Sequence, residues 1–173
     1  MKSIYLLRHA KSSWKDAELS DIDRPLNKRG KSDAAMMGKY FSKKHILPEL
    51  IISSPAKRAF KTACLIASEL DYEEKNIHID MALYGANVVE LLSIIQQLEA
   101  SLDKVMLVGH NPAFTLALPF FTGERIDNLP TCGLVRIDFE NKRWNLIREG
   151  KGKLKLFQFP RSVESKTKRK KKK

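Results

Sequence analysis

Apolar residues in this chain occur either in short, nearly unbroken runs or at the spacing of an amphipathic helix. The short runs are typical of strands buried on both faces, and they lie at residues 4–7, 50–52, 77–79 and 105–108. A segment with helical spacing follows each run, at residues 28–44, 55–70, 88–98 and 112–120. Because strands and helices alternate, we predict an α/β fold, a three-layer α/β/α sandwich around a mostly parallel central sheet.

The C-terminal part of the chain breaks this alternation. Residues 133–139 and 142–149 alternate apolar and polar side chains and are joined around Glu140-Asn141, which predicts an antiparallel hairpin at one edge of the sheet. We expect four apolar residues farther along to cover that edge: Leu154, Leu156, Phe157 and Phe159. No internal repeat is found, so residues 1–160 are predicted to form one domain.

The segments that precede the first two predicted helices contain residues typical of a helix N-terminus. Residues 11–27 are polar and lack helical spacing, which predicts a long loop whose last residue, Asn27, caps the first helix. The second helix is preceded by Ser53-Ser54-Pro55, which we interpret as a serine cap followed by a proline at the first helical position.

Positive charge is concentrated at the C-terminal end. The net charge is +12 over 173 residues, and residues 161–173, with eight Lys or Arg and one Glu, carry +7 of it. This segment has too few apolar residues to bury surface, so we predict a disordered basic tail. Two interpretations stay open, a solubilising extension and a contact to nucleic acid or an acidic membrane surface.

The remaining composition is that of an ordinary folded protein, with 43% hydrophobic residues. Cys64 and Cys132 lie far apart and form no CxxC pair, so a reducing compartment fits better than a disulfide framework. The first residues lack the long apolar run and cleavage site of a signal peptide, and no run reaches transmembrane length. We therefore expect a cytoplasmic protein with no membrane span.

Arginine and histidine side chains follow three of the predicted strands. Arg8 and His9 come directly after the first strand, Arg58 lies in the first turn of the helix after the second, and His110 follows the fourth. The carboxyl ends of parallel strands meet at one edge of a sheet, so we expect these side chains to converge. Guanidinium groups bind phosphate, and an imidazole is a nucleophile or base near neutral pH. The pattern predicts a site for a small anion.

A metal centre is the main chemical alternative, and the sequence disfavours it. The chain has four histidines but no HExxH motif, no Cys/His pair and no acid beside His9 or His110. The flanking arginines would repel a divalent cation. A GxxxxGK[ST] phosphate loop is also absent. We interpret His45 and His78 as ordinary surface or hydrogen-bonded histidines.

Three ordered motifs resemble those of the histidine phosphatase superfamily. Residues 7–10 (Leu-Arg-His-Ala) resemble its RHG signature, residues 53–59 with Thr62 and Ala63 its second motif, and residues 108–111 (Val-Gly-His-Asn) its third. The resemblance runs from residue 1 to about residue 159. The short chain and the Asp-Ile-Asp-Arg-Pro-Leu run at 21–26 are most similar to the SixA-type phosphohistidine phosphatases. Ala10 stands where the superfamily often has glycine, a small-for-small change.

The resemblance implies a phosphoglycerate mutase-like fold and a phosphatase that needs no metal and no cofactor. Carried over by motif, His9 would be the nucleophile that attacks phosphorus and becomes a phosphohistidine. Arg8, Arg58 and His110 would bind the phosphoryl oxygens and neutralise their charge.

The chain departs from the family at one element. Metabolic members usually place a glutamate, the general acid, shortly before the helix that here starts near residue 88, whereas this chain has Ala-Leu-Tyr-Gly at 82–85. Asp21 is our candidate replacement for that acid, and Arg24 is a candidate for a further phosphate contact. A salt bridge within the loop, or a cap, is the simpler explanation of both residues.

The missing carboxylate also bears on the substrate. An alkoxide leaving group needs protonation worth about 10²–10⁴-fold in rate, whereas the imidazole of phosphohistidine needs less help. Residues 79–88 are too few to build a lid, which predicts a shallow pocket open to a side chain of a partner protein. We therefore predict a phosphatase for phosphohistidine on a protein, a histidine-containing phosphotransfer domain being one candidate partner. A phosphomonoesterase for a small metabolite and a non-catalytic phosphate-binding module are the alternatives.

Overall fold

A computed structural model describes the backbone of residues 1–170 and the side chains of residues 1–165. Within this range the strands are β1 (Lys2–Arg8), β2 (Leu50–Ser53), β3 (His78–Ile79), β4 (Lys104–Gly109), β5 (Leu134–Phe139) and β6 (Gly152–Gln158). The α-helices are α1 (Lys28–Lys43), α2 (Lys57–Glu69), α3 (Val88–Gln96), α4 (Ala113–Thr122) and α5 (Pro160–Lys170). Single 3-10 turns lie at Asp21–Asp23, Glu74–Asn76, Met81–Leu83 and Trp144–Leu146.

The strands form one mixed sheet in the order β3-β2-β4-β1-β5-β6. The first four in this order are parallel to one another, and β5 and β6 are antiparallel to their neighbours. The predicted fold class, a mostly parallel sheet with an antiparallel edge, is confirmed. Alternation of strand and helix produces it because each parallel pair needs a crossover connection, and a helix supplies one.

Alternate residues of the central strands serve two separate cores. Tyr5 and Leu7 of β1 pack in a cluster with the buried faces of α1 and α2. Ile4 and Leu6 pack on the opposite face with residues of α3 and α4. Burial on both faces explains why this strand reads as an unbroken apolar run rather than as an alternating one. The two cores confirm the three-layer arrangement.

The second strand of the antiparallel edge is not where the sequence pattern put it. Residues 142–149, predicted as a strand, form a connection that contains the turn Trp144–Leu146, and β5 pairs with β6 instead. Trp144 and Ile147 are buried beside α3, and the Trp144 indole donates to the Leu102 carbonyl oxygen at 2.8 Å. Their hydrophobicity thus serves packing rather than sheet pairing. Three residues that were expected to cover the edge belong to the edge strand itself: Leu154, Leu156 and Phe157.

The predicted disordered tail is also corrected, because a helix, α5, occupies Pro160–Lys170. Pro160 takes the first helical position, which suits its fixed φ. The Ser162 hydroxyl accepts from the Phe159 amide and donates to the Phe159 carbonyl oxygen. Val163 buries its side chain in the core on the α1 side. One buried valine anchors a segment whose composition otherwise indicates disorder. Residues 171–173 of the predicted tail lie outside the described residues.

None of the helices in the described part of the chain has the length and apolar character needed to cross a membrane.

Candidate active site

Strand register brings the ends of β1, β2 and β4 to one edge of the sheet. Arg8 pairs with Gly109 across β1 and β4, and Ser53 pairs with Val108 across β2 and β4. The hydrogen bonds continue one residue farther, because the amide of His9 donates to the Gly109 carbonyl oxygen at 3.0 Å. The residues that follow these strands therefore leave the sheet side by side.

Helix α2 begins two residues later than the sequence signal indicated. Its N-cap is Ala56, which makes no side-chain cap, so the predicted serine cap is wrong. The Ser54 hydroxyl instead lies 2.7 Å from His110 Nε2. Arg58 keeps its predicted place in the first turn. Thr62, one turn on, accepts from the Ala10 amide and ties the helix to the loop after β1.

The His9 imidazole is held in one tautomer by its backbone. Its Nδ1 lies 2.8 Å from the Ala10 carbonyl oxygen, and because a carbonyl only accepts, Nδ1 carries the proton. Nε2 is therefore unprotonated, and its lone pair accepts a hydrogen bond from Arg58 Nε at 3.3 Å. The ring of His110 lies beside it, with 5.1 Å between the ring centroids. An unprotonated Nε2 is the form that attacks an electrophile.

Both imidazoles are neutral at physiological pH. Burial, followed by the neighbouring charges on His110, Arg58 and Arg8, lowers the pKa of His9 to about 3, although its bond to Ala10 acts in the opposite direction. Burial and the Arg58 charge lower the pKa of His110 to about 4. Two neutral imidazole rings thus lie among arginines without adding positive charge of their own.

Arg8, the last residue of β1, contacts the segment that precedes β5. Its Nη1 donates to the Leu129 carbonyl oxygen at 2.7 Å and lies 3.4 Å from Asn128 Oδ1. Its Nε is buried and has no partner. A buried N–H without an acceptor is energetically expensive, so this nitrogen is left with an unsatisfied donor.

Asp21 connects several residues around the site. Its carboxylate accepts from Arg58 Nη2 at 2.8 Å, from Arg24 Nη1 at 2.8 Å and from the Tyr84 hydroxyl at 2.9 Å. Partial desolvation raises the pKa of this carboxyl, but the bonds from Arg58, Tyr84 and Arg24 outweigh it and lower the pKa to about 2. Asp21 is therefore ionised at neutral pH and holds no proton to donate. This geometry favours a role as the counter-ion of Arg58 over the role of general acid.

Arg24 is buried in the wall of the site rather than pointing freely into it. Its Nε donates to the Ser13 carbonyl oxygen, and its Nη2 donates to the Ser12 hydroxyl. Its guanidinium carbon lies 3.1 Å from the centroid of the Trp14 ring. Arg24 thus organises the loop between β1 and α1 as well as facing the pocket.

A cavity of about 260 Å³ lies beside His9, and His110 and Asp21 are not part of its lining. Its lining contains five basic or histidine side chains and none with a carboxyl group: Arg8, His9, Lys11, Arg24 and Arg58, together with Ser12, Trp14 and Thr131. No group of three or more His, Cys, Asp or Glu side chains able to hold a metal occurs among the described residues. The chemistry of this lining suits a small, multiply charged anion.

The predicted convergence of Arg8, His9, Arg58 and His110 is present, and Asp21 and Arg24 adjoin them. His45 and His78 are exposed and contribute nothing to the lining. Sequence reasoning missed Ser54, Tyr84 and Trp14 as members of the site. A tryptophan in an otherwise polar loop was the available signal for Trp14, but nothing in the pattern indicated that Tyr84 contacts His110, edge to face at 5.7 Å.

The chain is similar in sequence and in fold to known proteins. Residues 4–90 match the family model of the histidine phosphatase superfamily (branch 1). An uncharacterised chloroplastic protein of Arabidopsis thaliana is 33% identical over 151 residues, covering 83% of this chain and 69% of that protein. A structure from Agrobacterium tumefaciens, assigned as the phosphohistidine phosphatase SixA, is 29% identical with a TM-score of 0.77 and covers 92% of this chain and 98% of that one. The protein histidine phosphatase SixA complexed with tungstate shares the fold, with a TM-score of 0.80 at 18% identity over 93% of this chain and 99% of that one.

The lowered pKa of His9 makes the stability of the fold depend on pH. The unfolded chain takes up the proton near the ordinary value of 6.5, whereas the folded ring resists it down to about 3, so stability is complete above pH 6.5 and falls as the pH drops below it. We expect the free energy of unfolding in urea to fall, between pH 7 and pH 5, by about 1–2 kcal/mol more in the wild type than in His9→Asn. His78→Asn removes an exposed histidine and serves as control, and equal pH slopes in all three proteins would contradict the assignment.

Neutralising Asp21 is expected to release Arg58 for an anion. In Asp21→Asn the side chain keeps its size but loses the charge that competes with a bound oxyanion, so orthovanadate should bind about threefold to tenfold more tightly. Isothermal titration calorimetry measures this directly. Asp23→Asn is the matched control, because Asp23 lies on the same turn but pairs with Lys57. Weaker vanadate binding in Asp21→Asn would show instead that the carboxylate holds Arg58 in its binding geometry.

Proposed function

We propose that this chain, which belongs to the histidine phosphatase superfamily, is a phosphatase that works through a covalent phosphohistidine on His9. The family match confirms the resemblance, and its residues 4–90 contain the first two of the three motifs. The mechanism rests on the neutral His9 ring. Its Nδ1–H donates to the Ala10 carbonyl oxygen, and its unprotonated Nε2 accepts from Arg58.

The first chemical step transfers the phosphoryl group to the ring. His9 Nε2 exchanges its hydrogen bond from Arg58 for the substrate and attacks phosphorus in line. A P–N bond forms, and the bond from phosphorus to the leaving group breaks while the leaving group takes up a proton from solvent. Arg8, Arg58 and His110 bind the three remaining oxygens and stabilise their charge. The ring becomes cationic as it is phosphorylated, and its Nδ1–H bond to the Ala10 carbonyl oxygen stabilises that charge.

The second step releases phosphate. Water attacks phosphorus on the side opposite His9, the P–N bond breaks, and the water proton is lost to solvent or to a neighbouring base. The imidazole returns to its neutral form, which the lowered pKa of His9 favours. The cycle needs no electrons and no group beyond the side chains named, so we propose that it is independent of metal ions.

The most favourable substrate is phosphohistidine on a partner protein. No described residue that lines the cavity carries a carboxyl group, and Asp21 beside it is ionised. The site therefore lacks an acid group suited to protonating an alkoxide, whereas imidazole is a far less basic leaving group. The segment between β3 and α3 is short, with one 3-10 turn at Met81–Leu83, and none of its residues lines the cavity. An open cavity accommodates a side chain presented by another protein.

Cytoplasmic location is part of the same proposal. Cys64 and Cys132 are both free and buried, which fits a reducing compartment. A contact between the basic C-terminal segment and nucleic acid or an acidic surface stays a prediction from charge alone.

Trapping the intermediate tests the mechanism. After brief incubation with a radiolabelled phosphohistidine protein and rapid quenching, we expect phosphate on His9 that is labile in acid and stable in base. His9→Asn should carry none and should lose at least 10³-fold in turnover, because the attacking nitrogen is gone. His45→Asn, which changes an exposed histidine, is the control and should label like the wild type. Full turnover by His9→Asn would reject the mechanism, and phosphate binding without any labelling would favour a non-catalytic module.

A substrate panel tests the leaving-group argument. The value of kcat/KM for a phosphohistidine-bearing phosphotransfer domain should exceed that for 3-phosphoglycerate and sugar phosphates by at least 10²-fold, since these release alkoxides. EDTA should leave all rates unchanged. A preference for the metabolites would support the alternative of a small-molecule phosphomonoesterase, and loss of activity in EDTA would contradict metal independence.

A further inference from the structure

Trp14 is unusually exposed for its residue type. Its side chain is 78% exposed, whereas the other tryptophan of the chain, Trp144, is 1% exposed in the core. Tryptophan is the side chain with the largest surface to gain from burial, and one left open beside a binding site is typical of a contact residue. Its neighbours in the chain, Ser13 and Lys15, are polar, and Trp14 belongs to neither hydrophobic core.

The indole is nevertheless held in place from one side. Arg24 is buried, and its three guanidinium nitrogens all bond to Ser13, Asp21 or Ser12. These bonds lie in the guanidinium plane and leave its face free, and the Trp14 ring covers that face at 3.1 Å. One face of the indole thus packs on a buried cation, and the rest of the ring is open to solvent and free to contact a ligand.

The position of Trp14 relates it to the reacting atoms. Its ring lines the same cavity as Arg8, His9 and Arg58. In that cavity Arg8 and Arg58 supply charge for a phosphoryl group. The indole is the only aromatic surface among the described lining residues apart from His9 itself, and it offers no charge to a phosphate. Its chemistry suits the other part of a substrate, the group to which phosphorus is attached.

We propose that Trp14 is a specificity residue that stacks on a planar aromatic leaving group, with Arg24 as the residue that positions it. The substrate class is then a phosphoryl group on an aromatic ring, with the imidazole of phosphohistidine as the member favoured by the site. This inference rests on the proposed function, since it concerns the leaving group of the same reaction. Stacking of aromatic rings can distinguish an aromatic leaving group from a non-aromatic one without hydrogen bonds, so it does not require an enclosed cavity.

Two small phosphoryl donors isolate the effect of the ring. Phosphoimidazole and phosphoramidate both transfer phosphorus from nitrogen, and they release imidazole and ammonia respectively. For Trp14→Leu we expect kcat/KM to fall about fivefold to tenfold with phosphoimidazole and to change less than twofold with phosphoramidate. Trp14→Phe keeps an aromatic face and should retain most of the selectivity. Leu19→Ala, which alters another exposed apolar residue of the same loop, should leave the ratio of the two donors unchanged.

Each outcome of this comparison decides the proposal. Equal losses with both donors in Trp14→Leu would show that Trp14 only supports Arg24, and would overturn the proposal. The absence of any loss with phosphoimidazole would overturn it as well. If the wild type transfers phosphate from neither donor to His9, the proposed function itself fails, and this inference fails with it.

Intrinsic fluorescence gives a second measurement that does not depend on turnover. In the His9→Asn background, phosphoimidazole should change the tryptophan emission and phosphoramidate should not. The change should disappear in Trp14→Phe, because the other tryptophan, Trp144, is buried in the core and does not line the cavity. An emission change that persists in Trp14→Phe would contradict stacking on Trp14.

Discussion

Parallel pairing of β1 with β4 is the constraint on which the candidate site depends. The register places Arg8 opposite Gly109, so His9 and His110 leave the sheet at the same level and their rings lie 5.1 Å apart. A slip of one residue would turn Ile4 and Leu6 toward the wrong core and would separate the two imidazoles. The alternation that packs two hydrophobic layers therefore also sets the distance between two functional rings. Packing and site geometry cannot vary independently in this protein.

Convergence of basic groups would be unfavourable if all of them were charged. Burial keeps both histidines neutral, and the Asp21 carboxylate compensates Arg58 and Arg24. A phosphoryl group brings more negative charge than one carboxylate, and Arg8 lines the same cavity as Arg58. The site is thus satisfied only in part by its own acid, and phosphate satisfies it further.

The sequence was sufficient for those features that depend on periodicity and on strand ends. The sheet, the two helical layers and the meeting of His9, Arg58 and His110 all follow from where apolar runs stop. The second edge strand and α5 were mispredicted because Trp144, Ile147 and Val163 are buried by tertiary neighbours that local patterning does not show. Tyr84 and Trp14 belong to the site for a similar reason. Both residues lie in loops, and a loop sequence has no hydrophobic periodicity from which a tertiary contact could be predicted.

The site divides into two halves that are built differently. Strand ends and the first turn of α2 hold the phosphate half, with Arg8, Arg58 and His110, whereas a long loop holds Trp14 and Arg24 on the leaving-group side. Asp21 joins the halves, since one of its oxygens binds Arg24 and the other binds Arg58. A phosphate bound to Arg58 therefore meets the same carboxylate that bonds to the guanidinium beneath the indole. The proposed phosphoryl side and the proposed leaving-group side of the site share this one acid.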